Sequence, residues 1–179
     1  MAKSDEKPEE EVGVVVDCIL VDYRGDQESR ARVARAILAW AAEHPDEWDE
    51  LRARCQRRQL LWLMAEYFKV LGYTDLKARL PGYMAPVMLS GTLEDHRPDL
   101  TCRQSNGART PMLLEAVPGE EIEDARMEHR WTLLSSAAKL YGAELHFVVP
   151  KWTADGPGDR LLRRRLERLE IAPQRIWAV

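Results

Sequence analysis

What this sequence lacks narrows it before what it has. It holds three cysteines, Cys18, Cys55 and Cys102, too far apart for a zinc knuckle or a disulfide framework, so they read as reduced thiols. It has no apolar run approaching the length of a membrane span, and its start, MAKSDEKPEEE, is too acidic for a secretory signal. These absences lead us to expect a soluble, cytoplasmic protein with no membrane association. There is no excess of positive charge either. With 26 Lys and Arg against 30 Asp and Glu, the net charge is -4, so any binding to nucleic acid must use a local patch and is expected to be weak and salt-sensitive. No internal repeat is present, and the N-terminus holds the one biased tract.

What is there suits an ordinary globular chain. The 179 residues are 45% hydrophobic and 31% charged, enough for one domain with a real core and an appended segment. Residues 1–11 are polar and acidic and are expected to be disordered. Residues 12–45 form an N-terminal extension. Its VGVVVDCILVDY (12–23) has the β-branched composition of a strand, and Val33, Ile37 and Trp40 recur at helical spacing across 27–44. This extension is the expected site of a protein partner or of self-association. Residues 46–179 are expected to form the main domain. Pro45 should end the first helix, with Asp46 capping the next.

The second helix, about 46–71, carries the apolar stripe Leu61, Met64, Phe68 and Leu71 and closes at Gly72. Arg52, Arg54, Arg57 and Arg58 crowd its first half and read as a solvated basic face balanced by neighbouring acids. Strand-like runs follow at about 76–80, 97–103 and 111–117, with PGYMAPVMLSGTLEDH as a loop between the first two and SNG (105–107) as a hairpin turn between the others. A helix is expected over about 122–141, capped by Gly142. Then come a strand at 144–150, a TADGPGD loop, a short basic helix and a last strand RIWAV.

Two acids stand out. Asp99 follows Pro98, and Glu115 lies inside the apolar run LLEAV. A buried carboxylate costs several kcal/mol unless it is paired, hydrogen-bonded or bound to metal. RPDL on one strand, LLEAV on the next and a helix before and after them resemble the PD-(D/E)XK nuclease superfamily over roughly residues 50–150. The resemblance implies an α/β restriction-endonuclease-like core (helix, three strands, helix, strand), here with an N-terminal strand and helix extension. It further implies that Asp99 and Glu115 hold Mg²⁺ through hard oxygen ligands, with Glu66 on the long helix as a third acid. The metal would polarise a phosphate and acidify the attacking water.

In that family a lysine stands two residues after the second acid, where strand parity turns it to the same face. Here that position is Val117. Valine can neither orient water nor offset charge on phosphorus. Lys77, Arg103 and Lys139 are candidate relocated cations, with Lys139 the best by chemistry. Arg103, Arg126 and His129 are candidate nucleic-acid contacts, each of which also reads as plain polar surface, as does His96. Glu120, Glu121, Glu123 and Asp124 would repel a phosphate backbone. The arginines Arg160, Arg163, Arg164, Arg165, Arg168 and Arg175 could track one, or could form the wet face of an amphipathic helix. Three readings follow: a catalytically inactive nuclease-like structural or interaction module, which Val117 favours; an active Mg²⁺-dependent endonuclease or exonuclease with a relocated lysine; and an unrelated α/β binding protein. Mg²⁺, held weakly, is the one cofactor implied.

Overall fold

A computed structural model describes residues 25–105 and 109–179 of the chain. The expected strand at 12–23 and the acidic tail lie outside the described residues, as does most of the expected hairpin turn. The contacts divide the chain into two units, Met1–Gln56 and Arg57–Val179, with the boundary inside the long helix.

In the first unit, helix α1 spans Gln27–Glu43. Asp26 caps it by accepting a 2.8 Å hydrogen bond from the Ser29 backbone N–H. None of its residues is buried. Helix α2 runs Pro45–Val70. Pro45 is therefore the first residue of α2, where its missing N–H is no loss, and Asp46 lies in the first turn instead of preceding the helix.

The second unit is mixed α/β. From Leu60 onward α2 buries Leu60, Leu61, Met64, Ala65 and Phe68. It stops at Gly72, whose φ of +77° suits glycine. There the Tyr73 N–H reaches back to the Phe68 carbonyl. Strands β1 (Thr74–Ala78), β2 (Leu100–Arg103) and β3 (Pro111–Ala116) form an antiparallel meander. A 3₁₀ turn at Gly119–Glu121 precedes helix α3 (Met127–Tyr141), closed by Gly142 at φ +60°. Strand β4 (Glu144–Val149) then lies parallel to β3, as a helical crossover requires. A two-residue ladder, β5 (Trp152–Thr153) with β6 (Gly156–Pro157), occupies the expected flexible loop. Helix α4 (Gly158–Arg168) and strand β7 (Arg175–Ala178) finish the chain, and the five-stranded sheet has the order β1-β2-β3-β4-β7.

The strands differ from expectation mainly at both ends of β1 and at the start of β2. β1 begins at Thr74 and ends at Ala78, with a register irregularity between Thr74 and Lys77 beside Asp75 at φ +52°. β2 starts one residue after Asp99, although the Asp99 carbonyl still accepts the Arg79 N–H at 2.9 Å and extends the ladder. Residues 122–126, expected to open the helix, form turns instead, so α3 begins at Met127.

Each sheet face is covered. One core joins α2 residues to Leu100, Cys102, Met112, Leu114, Ala116 and Val148. The other joins α3 and α4 to Leu113, Val117, Leu145, Phe147 and Val149. This alternation along β3 is the two-residue period of a strand buried on both faces. Among the described residues no helix is long and apolar enough to cross a membrane.

Trp131 anchors the second core. It is fully buried, edge-on to Phe147 at 5.9 Å, and its indole N–H has no hydrogen-bond partner among the described residues. Trp131→Ala should cost about 3–5 kcal/mol and lower Tm by roughly 10 °C. Trp131→Phe, which removes the unpaired N–H while keeping most of the ring, should cost less than half as much. Thermal unfolding of the two variants checks this ordering, and equal losses would contradict it.

Candidate functional site

The site lies where β3 ends. Strand parity sets Leu113, Glu115 and Val117 on one face. The β2–β3 register pairs Leu100 with Leu114, which brings Asp99 alongside Glu115 one step further on. Both side chains are entirely buried. Two buried carboxylates on adjacent strands repel each other and have lost their water, so they need positive charge or protons.

Arg57 of α2 supplies the charge. Its Nη1 stands 2.8 Å from Asp99 Oδ2 and 3.6 Å from Glu115 Oε1, and it donates to the Ala116 carbonyl at 2.6 Å. The second nitrogen, Nη2, pairs with Glu121 in the 3₁₀ turn. One guanidinium thus binds oxygens from three chain segments, its two terminal nitrogens reaching Asp99 and Ala116 on one side and Glu121 on the other.

Asp99 has two further partners: the Ala116 N–H at 3.1 Å and Arg79 Nη1 at 3.2 Å. Glu115 is held by His96, whose Nε2 lies 3.0 and 3.1 Å from its two oxygens. His96 is itself buried and fixed by a bridge to Leu89.

The electrostatics follow from burial. Burial pushes the Glu115 pKa up, the charge of Asp99 adds to this, and His96 and Arg57 offset only part of it. Burial also raises Glu121, against the pull of Arg57. For Arg57 burial works against the charge, yet Asp99, Glu115 and Glu121 together hold it more firmly protonated than usual.

Of the residues expected at the site, the structure brings together Asp99 and Glu115. Glu66 is elsewhere. It lies nine residues beyond Arg57, half a helical revolution away, with Lys69 at 2.8 Å and the Tyr83 hydroxyl donating to it at 3.1 Å. Lys139 is exposed in the last turn of α3. The start of that helix follows the site, so its end is roughly 18 Å further on. Lys77 shares the face of Thr101 through their register pairing, but Arg79 is the residue that reaches Asp99. Arg103 is at the far end of β2, 3.4 Å from Asp75.

Arg126 binds Asp124 at 2.8 Å, and His129 is exposed on α3. Val117 is fully buried in the apolar core with Ile122 and Trp131. Two of the C-terminal arginines are engaged by the acids after Glu115: Arg165 with Glu128 and Glu123, and Arg168 with Glu123 at 2.9 Å.

Sequence reasoning missed Arg57, Arg79, Glu121 and the buried role of His96. The signal was indirect: two acids that must be buried require cations, and an arginine-rich half-helix precedes them. The donor set does not fit a resident Mg²⁺. That ion needs oxygens at about 2.1 Å in an octahedron, whereas the space beside Asp99 Oδ2 holds a guanidinium nitrogen that would repel it. Among the described residues no group of three or more His, Cys, Asp or Glu side chains is arranged to hold a metal ion.

The raised Glu115 fixes a pH dependence. From its ordinary value of 4.5 upward, the native state keeps a proton that the unfolded chain has released, so this group lowers stability as pH rises. Glu115→Gln keeps the shape and removes the titration. The stability of this variant relative to the unaltered chain should therefore grow as pH rises above 4.5, read as urea midpoints across a pH series. Parallel profiles would show that Glu115 does not titrate as its surroundings dictate.

Comparison of the chain with protein-family models, with curated proteins and with solved structures gives no match.

Proposed function

We propose that the chain is a catalytically inactive relative of the PD-(D/E)XK nucleases, with a restriction-endonuclease-like core, acting as a structural or interaction module. The order helix, β1–β2–β3, helix, β4 and the convergence of Asp99 with Glu115 support the kinship. The observation that carries the inactivity is Val117. It occupies the lysine position of the motif and is sealed in the apolar core with no exposed surface. Among the described residues the ion pairs of Asp99 and Glu115 are with Arg57, Arg79 and His96, and none is with Lys77 or Lys139. The interaction role falls to the N-terminal extension, where α1 carries Val33, Ile37 and Trp40 and buries none of them.

A second reading, an active Mg²⁺-dependent nuclease, draws on Arg57 and Arg79 as relocated positive charge. Arginine can offset charge on a phosphate, but it stays protonated and cannot relay the proton of an attacking water. Arg57 is committed to Asp99, Ala116 and Glu121, which leaves the half-exposed Arg79 as the guanidinium a substrate could meet.

Losing one preorganised group typically costs 10²–10³ in rate. No more than trace cleavage of single- or double-stranded DNA or RNA is expected in Mg²⁺ or Mn²⁺, and Lys139→Ala should change nothing. Val117→Lys is expected to destabilise the fold, because it drives an ammonium into an apolar cluster, and not to revive catalysis. Robust metal-dependent cleavage by the unaltered protein, abolished by Asp99→Asn, would overturn the proposal in favour of the second reading.

A further inference from the structure

We infer that Arg57 is the resident cation of the acid pair. Its guanidinium takes the place a divalent ion would occupy, so the native chain is closed to Mg²⁺ and Mn²⁺ at this site, and removing the guanidinium opens it. The inference rests on the reading of Asp99 and Glu115 as a former metal pair, and it concerns what fills that pair now.

The geometry is that of a caged cation. Asp99 Oδ2, Glu115 Oε1 and the Ala116 carbonyl converge on one nitrogen at 2.8, 3.6 and 2.6 Å, and Glu121 closes on the other. Two carboxylates and a backbone carbonyl are the hard oxygen donors that small divalent cations take. The cage closes over the nitrogen, since the Arg57 side chain is only 17% exposed. An approaching ion would meet a fixed positive charge hydrogen-bonded to Asp99 and the Ala116 carbonyl and 3.6 Å from Glu115. The Ala116 carbonyl matters because it cannot swing away: its residue is in β3, paired with Val148 of β4.

The second guanidinium does not fill the same space. Arg79 binds the opposite oxygen, Asp99 Oδ1, at 3.2 Å and is about half exposed. Arg79 therefore offsets charge without plugging the cage. Among the described residues Arg57 alone touches Asp99, Glu115 and the Ala116 carbonyl together, whereas His96 meets Glu115, so Arg57 is the main barrier to a metal ion here.

Arg57→Met keeps the aliphatic bulk and removes the charge. The test compares the unaltered chain, Arg57→Met and Arg57→Met/Asp99→Asn by thermal unfolding, with EDTA or with about 5 mM Mn²⁺. The unaltered chain should show no Mn²⁺ shift. Arg57→Met should melt lower and gain about 3 °C or more in Mn²⁺, as expected for a site filled well above its dissociation constant. The double variant should lose that gain. If Arg57→Met is unfolded in EDTA, recovery of its far-UV circular dichroism in Mn²⁺ is the same result, and failure to recover overturns the inference. A Mn²⁺ shift in the unaltered chain that Asp99→Asn removes also overturns it. Nuclease activity is a separate readout: a chain that binds Mn²⁺ without cutting would sink this inference and leave the inactive reading standing, whereas one that cuts would sink that reading.

Discussion

The guanidinium of Arg57 is the interaction on which the second unit depends. Asp99 and Glu115 are both without solvent contact, and no rearrangement of the sheet can expose them without parting β2 from β3. Their charge has to be met from inside. The arginine fork meets Asp99, approaches Glu115, ties down the Ala116 carbonyl and still reaches Glu121. It joins α2 to the end of β3 and to the 3₁₀ turn that leads into α3, so the polypeptide on both sides of the site is tied to one side chain.

The sheet explains why this knot sits where it does. Along β3 the side chains alternate between two apolar cores, one under α2 and one under α3 and α4. Glu115 interrupts the second core between Leu113 and Val117. It can do so because it is the last but one residue of the strand, where Arg57 and Arg79 come round the sheet's end and His96 folds over from its bridge with Leu89. At Leu113, with helices over both faces, no cation could arrive. The carboxyl end of a strand flanked by a parallel neighbour is also where α/β sheets ordinarily place polar chemistry.

Much of this was legible in the residues, and the failures have physical causes. Local periodicity located both long helices, β3 and β4, because a 3.6-residue or an unbroken apolar pattern depends on nothing distant. The pairing of Asp99 with Glu115 came from the resemblance, which sets the two acids on adjacent strands, and the register aligns them so. The start of β1 was misplaced because Asp75 adopts a positive φ that no pattern announces. Glu66 was expected at the site from the resemblance and Lys139 on chemistry, and helix geometry sends one to the opposite side of α2 and the other to the far end of α3. Arg57 was hidden for a deeper reason. In the sequence it is one of four arginines within seven residues, and a solvated arginine and a buried one have the same local neighbours. What distinguishes it is contact across 42 residues to Asp99 and 59 to Ala116.

An apolar residue at 117 and a guanidinium between the acids are two sides of one electrostatic requirement. Val117 lets the core of Ile122 and Trp131 close up to the edge of Glu115, and that closure strips water from the carboxylate. A lysine at 117 would have kept polar space there and supplied a charge from the same strand. Without it, the charge must come from another element and must arrive hydrogen-bonded, because an unpaired buried carboxylate costs more than any single apolar contact returns. Replacing such a network wholesale by apolar residues is often neutral for stability, whereas removing one member is not. The network's contribution is therefore to geometry. Its donors and acceptors match in one arrangement of α2, β2 and the turn after β3, and a slip of any of them would leave a charge buried alone.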